Sequence, residues 1–278
     1  MGNIVWLASY PKSGNTWLRI FLANMVAGRD EPVPLNELSR YCEDESLPEL
    51  FSAAAGRPST GLSLDEICAL RPQVHAGIAA RASGTVLVKT HNFAGAYDGH
   101  PLHNPAVTAG AIYVVRNPLD VVVSMSHHFG LSADEAIERL GSDRAATEND
   151  DLFVSQVLGS WSMHVNSWVD SGIARLLVLR YEDLLERPAK HFARVARLLG
   201  VGDKRARIAR AVRLAGFESA AGMERAGGFV EASPRSVRFF RAGTAGQWRA
   251  VLNRDQVTRI VTAHRAQMAR FDYLPAGY

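Results

Sequence analysis

The sequence predicts an α/β fold, with a central parallel sheet flanked by helices. Three features carry that reading: four short apolar runs rich in strand formers, helical spacing between them, and a polar, glycine-bearing turn directly after the first run. The 278 residues include 31 Lys+Arg and 28 Asp+Glu, a net charge of +3, and 47% are hydrophobic, which suits a buried core and not a disordered chain. One domain or two fit that length. No repeat or low-complexity tract appears, so a single domain over 1–278 is expected, with 29–80 as an insertion and 221–246 as a mobile loop within it. The sequence pI near 9.0 rests on a small excess of arginine. No run of five basic residues occurs, so a nucleic-acid partner is not expected.

In chain order, residues 3–9 (NIVWLAS) form the first apolar run, and Tyr10-Pro11-Lys12-Ser13-Gly14-Asn15 cannot continue it. Trp17, Ile20, Phe21, Asn24 and Met25 then take helical spacing, with Asn15 or Thr16 available as N-cap. Residues 29–60 are irregular, rich in proline, serine and acidic residues, and a helical pattern follows near 64–80. Further strands are expected at 85–89 (TVLVK), 111–115 (AIYVV) and 176–179 (LLVL). Residues 150–171 read as a helix with Trp161, His164 and Trp168 on one face in a packing role. Beyond Gly200 the chain turns helical and Arg-rich, then Gly-rich over 221–246. Cys42 and Cys68 lack metal-like spacing and read as reduced packing residues. Neither a leader pattern nor an apolar stretch of membrane-spanning length is present, which predicts a cytoplasmic protein without a membrane span.

Function begins at the first turn. Lys12, Ser13, Gly14, Asn15 and Thr16 stand between a strand end and a helix start, where backbone N–H groups and the positive end of the helix dipole converge on one spot suited to phosphate. Only four of the basic residues are lysines, so Lys12 in such a turn is informative. The nucleoside-triphosphatase pattern G-x-x-x-x-G-K-[ST] is not met, because the lysine precedes a single glycine. On residue types alone, a polar turn with an ordinary cap remains open.

The segment Tyr10-Pro11-Lys12-Ser13-Gly14-Asn15-Thr16-Trp17 resembles the 5′-phosphosulfate loop of the cytosolic sulfotransferases that use 3′-phosphoadenosine 5′-phosphosulfate (PAPS). The resemblance continues, in order, over nearly the whole chain. Ile112 through Arg116-Asn117-Pro118 to Ser124 is similar to the family's 3′-phosphate site, which implies that Arg116 and Ser124 hold that phosphate. Tyr181-Glu182-Asp183 resembles a segment whose tyrosine meets the adenine, and Phe217 would stack there or belong to the core. Phe239 to Trp248 is similar to the R-K-G-x-x-G-x-W segment that closes over the nucleotide, with Arg241 and the Gly243 amide on the 3′-phosphate and Ala242 where lysine is usual.

Lys89-Thr90-His91 resembles the K-T-H segment that bears the family's catalytic histidine. Sulfuryl transfer needs the acceptor proton removed, and an imidazole does this at neutral pH, so His91 is the expected general base. Charge develops on the bridging phosphate oxygen, where Lys12, with Lys89 as second candidate, would stabilise it. No Asp ends the Arg116 strand as a magnesium ligand would, so no metal is expected. The reading is transfer from PAPS to a hydroxyl, less readily an amine, of a small-molecule acceptor. Its rivals are a nucleotide-dependent phosphotransferase and a non-catalytic nucleotide-binding protein. The acceptor pocket is expected along 29–60, 92–105 (with Phe93, Tyr97, His100 and His103) and 221–238. Residues 249–254 do not reproduce the animal enzymes' dimer motif, and the oligomeric state stays open.

Overall fold

The computed structural model describes residues 2–201 and 204–278. The chain runs through β1 (Ile4–Ser9), α1 (Asn15–Ala27), β2 (Glu43–Asp44), α2 (Pro48–Ala55), α3 (Leu64–Ala80) and β3 (Val86–Thr90). A two-residue hairpin, β4 (Ala96–Tyr97) and β5 (His100–Pro101), precedes β6 (Thr108–Val115), α4 (Pro118–Phe129), α5 (Ala133–Gly141) and α6 (Trp161–Val169). After β7 (Leu176–Arg180) come α7 (Tyr181–Glu186), α8 (Pro188–Leu198), α9 (Arg205–Leu214), α10 (Phe217–Gly227), α11 (Trp248–Val251) and α12 (Arg254–Arg270).

Five strands form one parallel sheet in the order β2-β3-β1-β6-β7. Every residue of β1 is buried, as expected of a strand covered on both faces. The period of two divides the side chains between two cores. Ile4, Trp6, Ala8 and Tyr113 pack with residues of α3, α4, α6 and α12 on one face, and Val5, Leu7, Ile112 and Val114 with α1, α8 and α9 on the other. Each large side chain so buried contributes roughly 1.5–3 kcal/mol. The chain leaves β1 for β3 on one side and returns past it to β6 on the other. That reversal opens a crevice at the carboxyl ends of β1, β3 and β6.

The four expected strands are all present, with local departures elsewhere. The 29–60 stretch is not wholly irregular: Glu43 and Asp44 add an edge strand to β3, and α2 follows. A two-residue strand is too short to show a period. Residues 150–160 are not helical; a loop folded on itself through the Ala146–Val157 bridge occupies them. The helix α6 starts at Trp161 because the Ser160 hydroxyl accepts from the Met163 N–H at 3.2 Å. Within it Trp161, His164 and Trp168 are buried together. The glycine-rich loop is shorter than expected, since 221–227 completes α10, where Ala220 and Ala221 are buried. The irregular part is 228–247. Cys42 and Cys68 are buried and free. Among the described residues no helix is long and apolar enough to cross a membrane.

Candidate functional site

The turn after β1 is held open by its own backbone. Lys12 and Gly14 both take left-handed conformations, with φ of 65° and 106°. The Asn15 side chain donates to Leu7 O at 2.8 Å, tying the helix start to the strand. Gly14, not Asn15 or Thr16, is the N-cap of α1; no side chain caps it and no acidic residue stands in the first turn. The first N–H groups of α1 therefore have no side-chain acceptor, and their dipole is unopposed. The Ser13 hydroxyl is buried without a partner. These orphan donors suit an oxyanion.

Arg116, at the end of β6, reaches this turn directly, donating from Nη1 to Lys12 O at 2.9 Å. Its guanidinium lies 4.4 Å from the centre of the Tyr181 ring. Tyr181 in turn closes on Gly14, where an added Cβ would come within 2.7 Å of the ring. From the far end of the chain, Thr244 O accepts from Arg116 Nη2 at 3.2 Å, and a Cβ on Gly243 would strike the Phe217 ring. Arg241 is exposed and bonded to the Gln247 side chain. Trp17, Ser124, Tyr181, Phe217, Arg241 and Gly243 all line one cavity of about 530 Å³ with Lys12, Gly14, Asn15, Thr16, Lys89, His91 and Arg116. Two side chains that the sequence did not single out hold the closing segment. Asp120 accepts from the N–H groups of Gly246 (2.6 Å) and Trp248 (3.1 Å), and Glu224 from those of Phe239 (2.6 Å) and Phe240 (2.9 Å).

Lys12 extends over the Phe239 ring, 3.9 Å from its centre. Burial, reinforced by the Arg116 charge, lowers its ammonium from 10.5 to about 7. Lys89 is placed differently. Its ammonium is 2.7 Å from Asp44 and 3.6 Å from Glu231, and Glu231 is also 2.7 Å from Arg19. Lys89 thus belongs to a buried quartet of two cations and two carboxylates, to which the β2 edge strand and the 228–247 segment each give one member. Neither carboxylate carried a sequence signal, since both lie in stretches without a period.

His91 follows β3 and is fixed on three sides. Its Nδ1 faces Ser9 O at 2.7 Å, a carbonyl, so Nδ1 carries the proton and Nε2 keeps its lone pair. Its N–H donates to the Gln156 side chain at 2.8 Å, and its carbonyl accepts from His164 Nε2 at 3.1 Å. His164 therefore does more than pack. Burial, and then the Lys89 charge, lower the His91 imidazole from 6.5 to about 4, which keeps it neutral at physiological pH.

The acceptor side differs from expectation. Residues 29–60 and 92–105 do not line the cavity; 230–235, within the expected 221–238 stretch, does, and the other walls there come from 128–129 and 147–156. Of the 92–105 loop, Asn92, Phe93 and His103 are turned inward, whereas Tyr97 and His100 stand on the outer hairpin, His100 3.3 Å from Asp65. Asn92 donates to buried Glu45 at 2.8 Å, Phe93 is buried, and His103 sits against Trp6 and Trp168.

Comparison with known proteins gives one family. The model described as "Sulfotransferase domain" matches residues 3–272. Cytosolic sulfotransferase 17 of Arabidopsis thaliana is 25% identical over 280 residues, covering 93% of this chain and 72% of its own length. Sulfotransferase 1B1 of Canis lupus familiaris is 28% identical over 203 residues, covering 69% of this chain and 57% of its own. Among solved structures, retinol dehydratase in complex with androsterone and inactive cofactor PAP has a TM-score of 0.65 at 18% identity, covering 99% of this chain and 83% of that one. A mouse sulfotransferase complexed with PAP has a TM-score of 0.62 at 20% identity, covering 97% and 85%. At those identities the structural likeness speaks for the fold.

Proposed function

The chain belongs to the sulfotransferase domain family, and from that premise we propose that it moves the sulfuryl group of PAPS to a hydroxyl of a small-molecule acceptor, with His91 as general base. The observation that carries this reading is the convergence of the Lys12 turn, Arg116 and His91 on one cavity, with Arg116 bonded to the turn itself. PAPS supplies an activated sulfur–oxygen–phosphorus linkage.

Ser13, the N–H groups at the start of α1 and Lys12 would hold its 5′ end, where orphan donors and an unopposed dipole await an anion. Arg116, Ser124, Arg241 and the Gly243 amide would hold the 3′-phosphate, and Tyr181, Trp17 and Phe217 would form the walls for the adenine. With Ala242 in place of lysine, one charge fewer serves that phosphate.

His91 Nε2 accepts the acceptor's proton as the oxygen forms its bond to sulfur. The sulfur–oxygen bond to phosphate breaks, and its electron pair stays on the phosphate. Lys12 supports that leaving oxygen. Lys89, committed to Asp44 and Glu231, is assigned to positioning. Because Ser9 O holds Nδ1–H, the base needs no tautomer change before it acts. At saturating PAPS, the His91-dependent rate should be flat through neutral pH and fall only as pH drops toward about 4, when the imidazole charges.

The test is His91→Ala with labelled PAPS and a panel of hydroxyl acceptors. Transfer should fall about 10²–10⁴-fold, while adenosine 3′,5′-bisphosphate still binds, read by calorimetry. Transfer that survives the substitution would remove His91 from this role.

A further inference from the structure

Arg139, on α5, lines the same cavity and takes no part in the mechanism above. It is half-buried, and its guanidinium lies 5.4 Å from the centre of the Phe129 ring. A guanidinium has five N–H donors, yet one bond is made, from Nη2 to Ala146 O at 3.0 Å. Of the ion pairs formed among the described residues, none includes it.

The carboxylates that share this wall are not its partners. Asp150 is engaged by the N–H groups of Leu152 and Phe153, both at 2.8 Å, and Glu148 is exposed to solvent. Glu231 is taken by Arg19 and Lys89. Phe129, Leu152 and Phe153 give the cavity wall its apolar part, and His128, Thr147 and Gln156 line it as neutral polar groups. A cation held on an aromatic platform, partly out of water, with a planar fork of unused donors, is built to receive a planar oxyanion in two parallel bonds.

We propose that the acceptor carries a carboxylate, bound by Arg139, on an aryl or alkyl body that lies against Phe129 and Phe153 and presents its hydroxyl to His91. This rests on the sulfuryl-transfer reading and narrows it: the substrate class is hydroxylated carboxylic acids, not neutral phenols or sugars. Arg139 is a specificity-determining residue here and not part of the chemical step. The rim acid Glu148 is solvated and screened, so it opposes such an acceptor weakly.

The experiment uses acceptors with the same hydroxyphenylpropionyl body, 3-(4-hydroxyphenyl)propionate and its methyl ester. With labelled PAPS, the full chain should favour the acid by tenfold or more in kcat/KM. Arg139→Gln should reduce that ratio at least tenfold, and Arg139→Lys, which keeps the charge without the fork, should restore part of it. Glu148→Gln should leave the acid preferred. Binding of the same two compounds to the complex of the protein with adenosine 3′,5′-bisphosphate is measured in parallel by calorimetry.

Tighter binding of the acid without any sulfate transfer would fault the transfer reading and leave this inference standing. Equal use and equal binding of acid and ester by the unaltered protein would overturn the inference. So would Arg139→Gln lowering both compounds alike, since Arg139 would then serve the wall and not the acceptor. Thermal melts of each variant, with and without adenosine 3′,5′-bisphosphate, establish that the fold and the nucleotide site are intact.

Discussion

Replacing Glu231 with glutamine should destabilise the protein far more than an ordinary loop substitution. Glu231 stands on an irregular segment, yet it is 2.7 Å from Arg19, whose side chain is 2% exposed. Its second cation, Lys89, is 3.6 Å away and keeps Asp44 at 2.7 Å, so Lys89 loses little. The penalty therefore falls on Arg19, left as a buried cation without its carboxylate. Breaking a buried pair from one side costs about 3–5 kcal/mol; the glutamine carbonyl still accepts one bond, which places the loss near the lower end, about 3 kcal/mol. With a urea slope of about 3 kcal/mol/M, the unfolding midpoint should drop by roughly 1 M at unchanged slope. The exposed pair Arg259–Asp134, with side chains 39% and 57% exposed, is the control, and Asp134→Asn should cost about 0–1 kcal/mol. The pH dependence has a fixed sign. Burial alone would raise the Glu231 carboxyl, but Lys89 and Arg19 overcome it and hold it below the ordinary range. Its contribution is thus fully present above the unfolded value near 4.3 and is lost as pH falls through the lower folded value. The difference between the two proteins should shrink at acid pH. A midpoint shift under about 0.3 M, with unchanged proteolysis within 228–247, would refute the argument.

Two further outcomes follow from the turn after β1. Gly14→Ala combines the cost of φ at 106°, about 1–2 kcal/mol, with displacement of Tyr181 by a methyl 2.7 Å from its ring. It should weaken adenosine 3′,5′-bisphosphate binding tenfold or more, whereas Gly56→Ala, also at positive φ but facing open space, should lower the melting temperature without touching that affinity. Equal affinities in the two variants would count against the turn as the phosphate site. The second outcome concerns Lys12, whose ammonium pKa is lowered to about 7 by burial and by Arg116. A phosphate beside it favours the charged form, so nucleotide binding above pH 7 should take up a proton and weaken as pH rises. Calorimetry at pH 7.5 in buffers of different ionisation enthalpy reads this, and no proton uptake would mean that Lys12 does not meet the phosphates.

The amino-acid sequence by itself determined the parallel sheet and the pieces at its carboxyl edge. Buried strands are continuous apolar runs, and the residues of an anion turn are neighbours in the chain, so both are local and legible. The Lys12 turn, Lys89-Thr90-His91 and Arg116 were readable for that reason. Tertiary structure alone decided what those residues touch. Lys89 became a member of a buried quartet because Asp44 and Glu231 reach it from stretches with no period, 45 and 142 residues away in number. The cavity wall expected from 29–60 and 92–105 is formed by 128–129 and 147–156, residues with no sequence signal for it, while Asn92 is engaged by buried Glu45. The tautomer of His91 was fixed by a carbonyl on the neighbouring strand β1. Each of these is a contact between elements far apart in sequence, and such contacts are set by how faces pack, which no local pattern of residue types records.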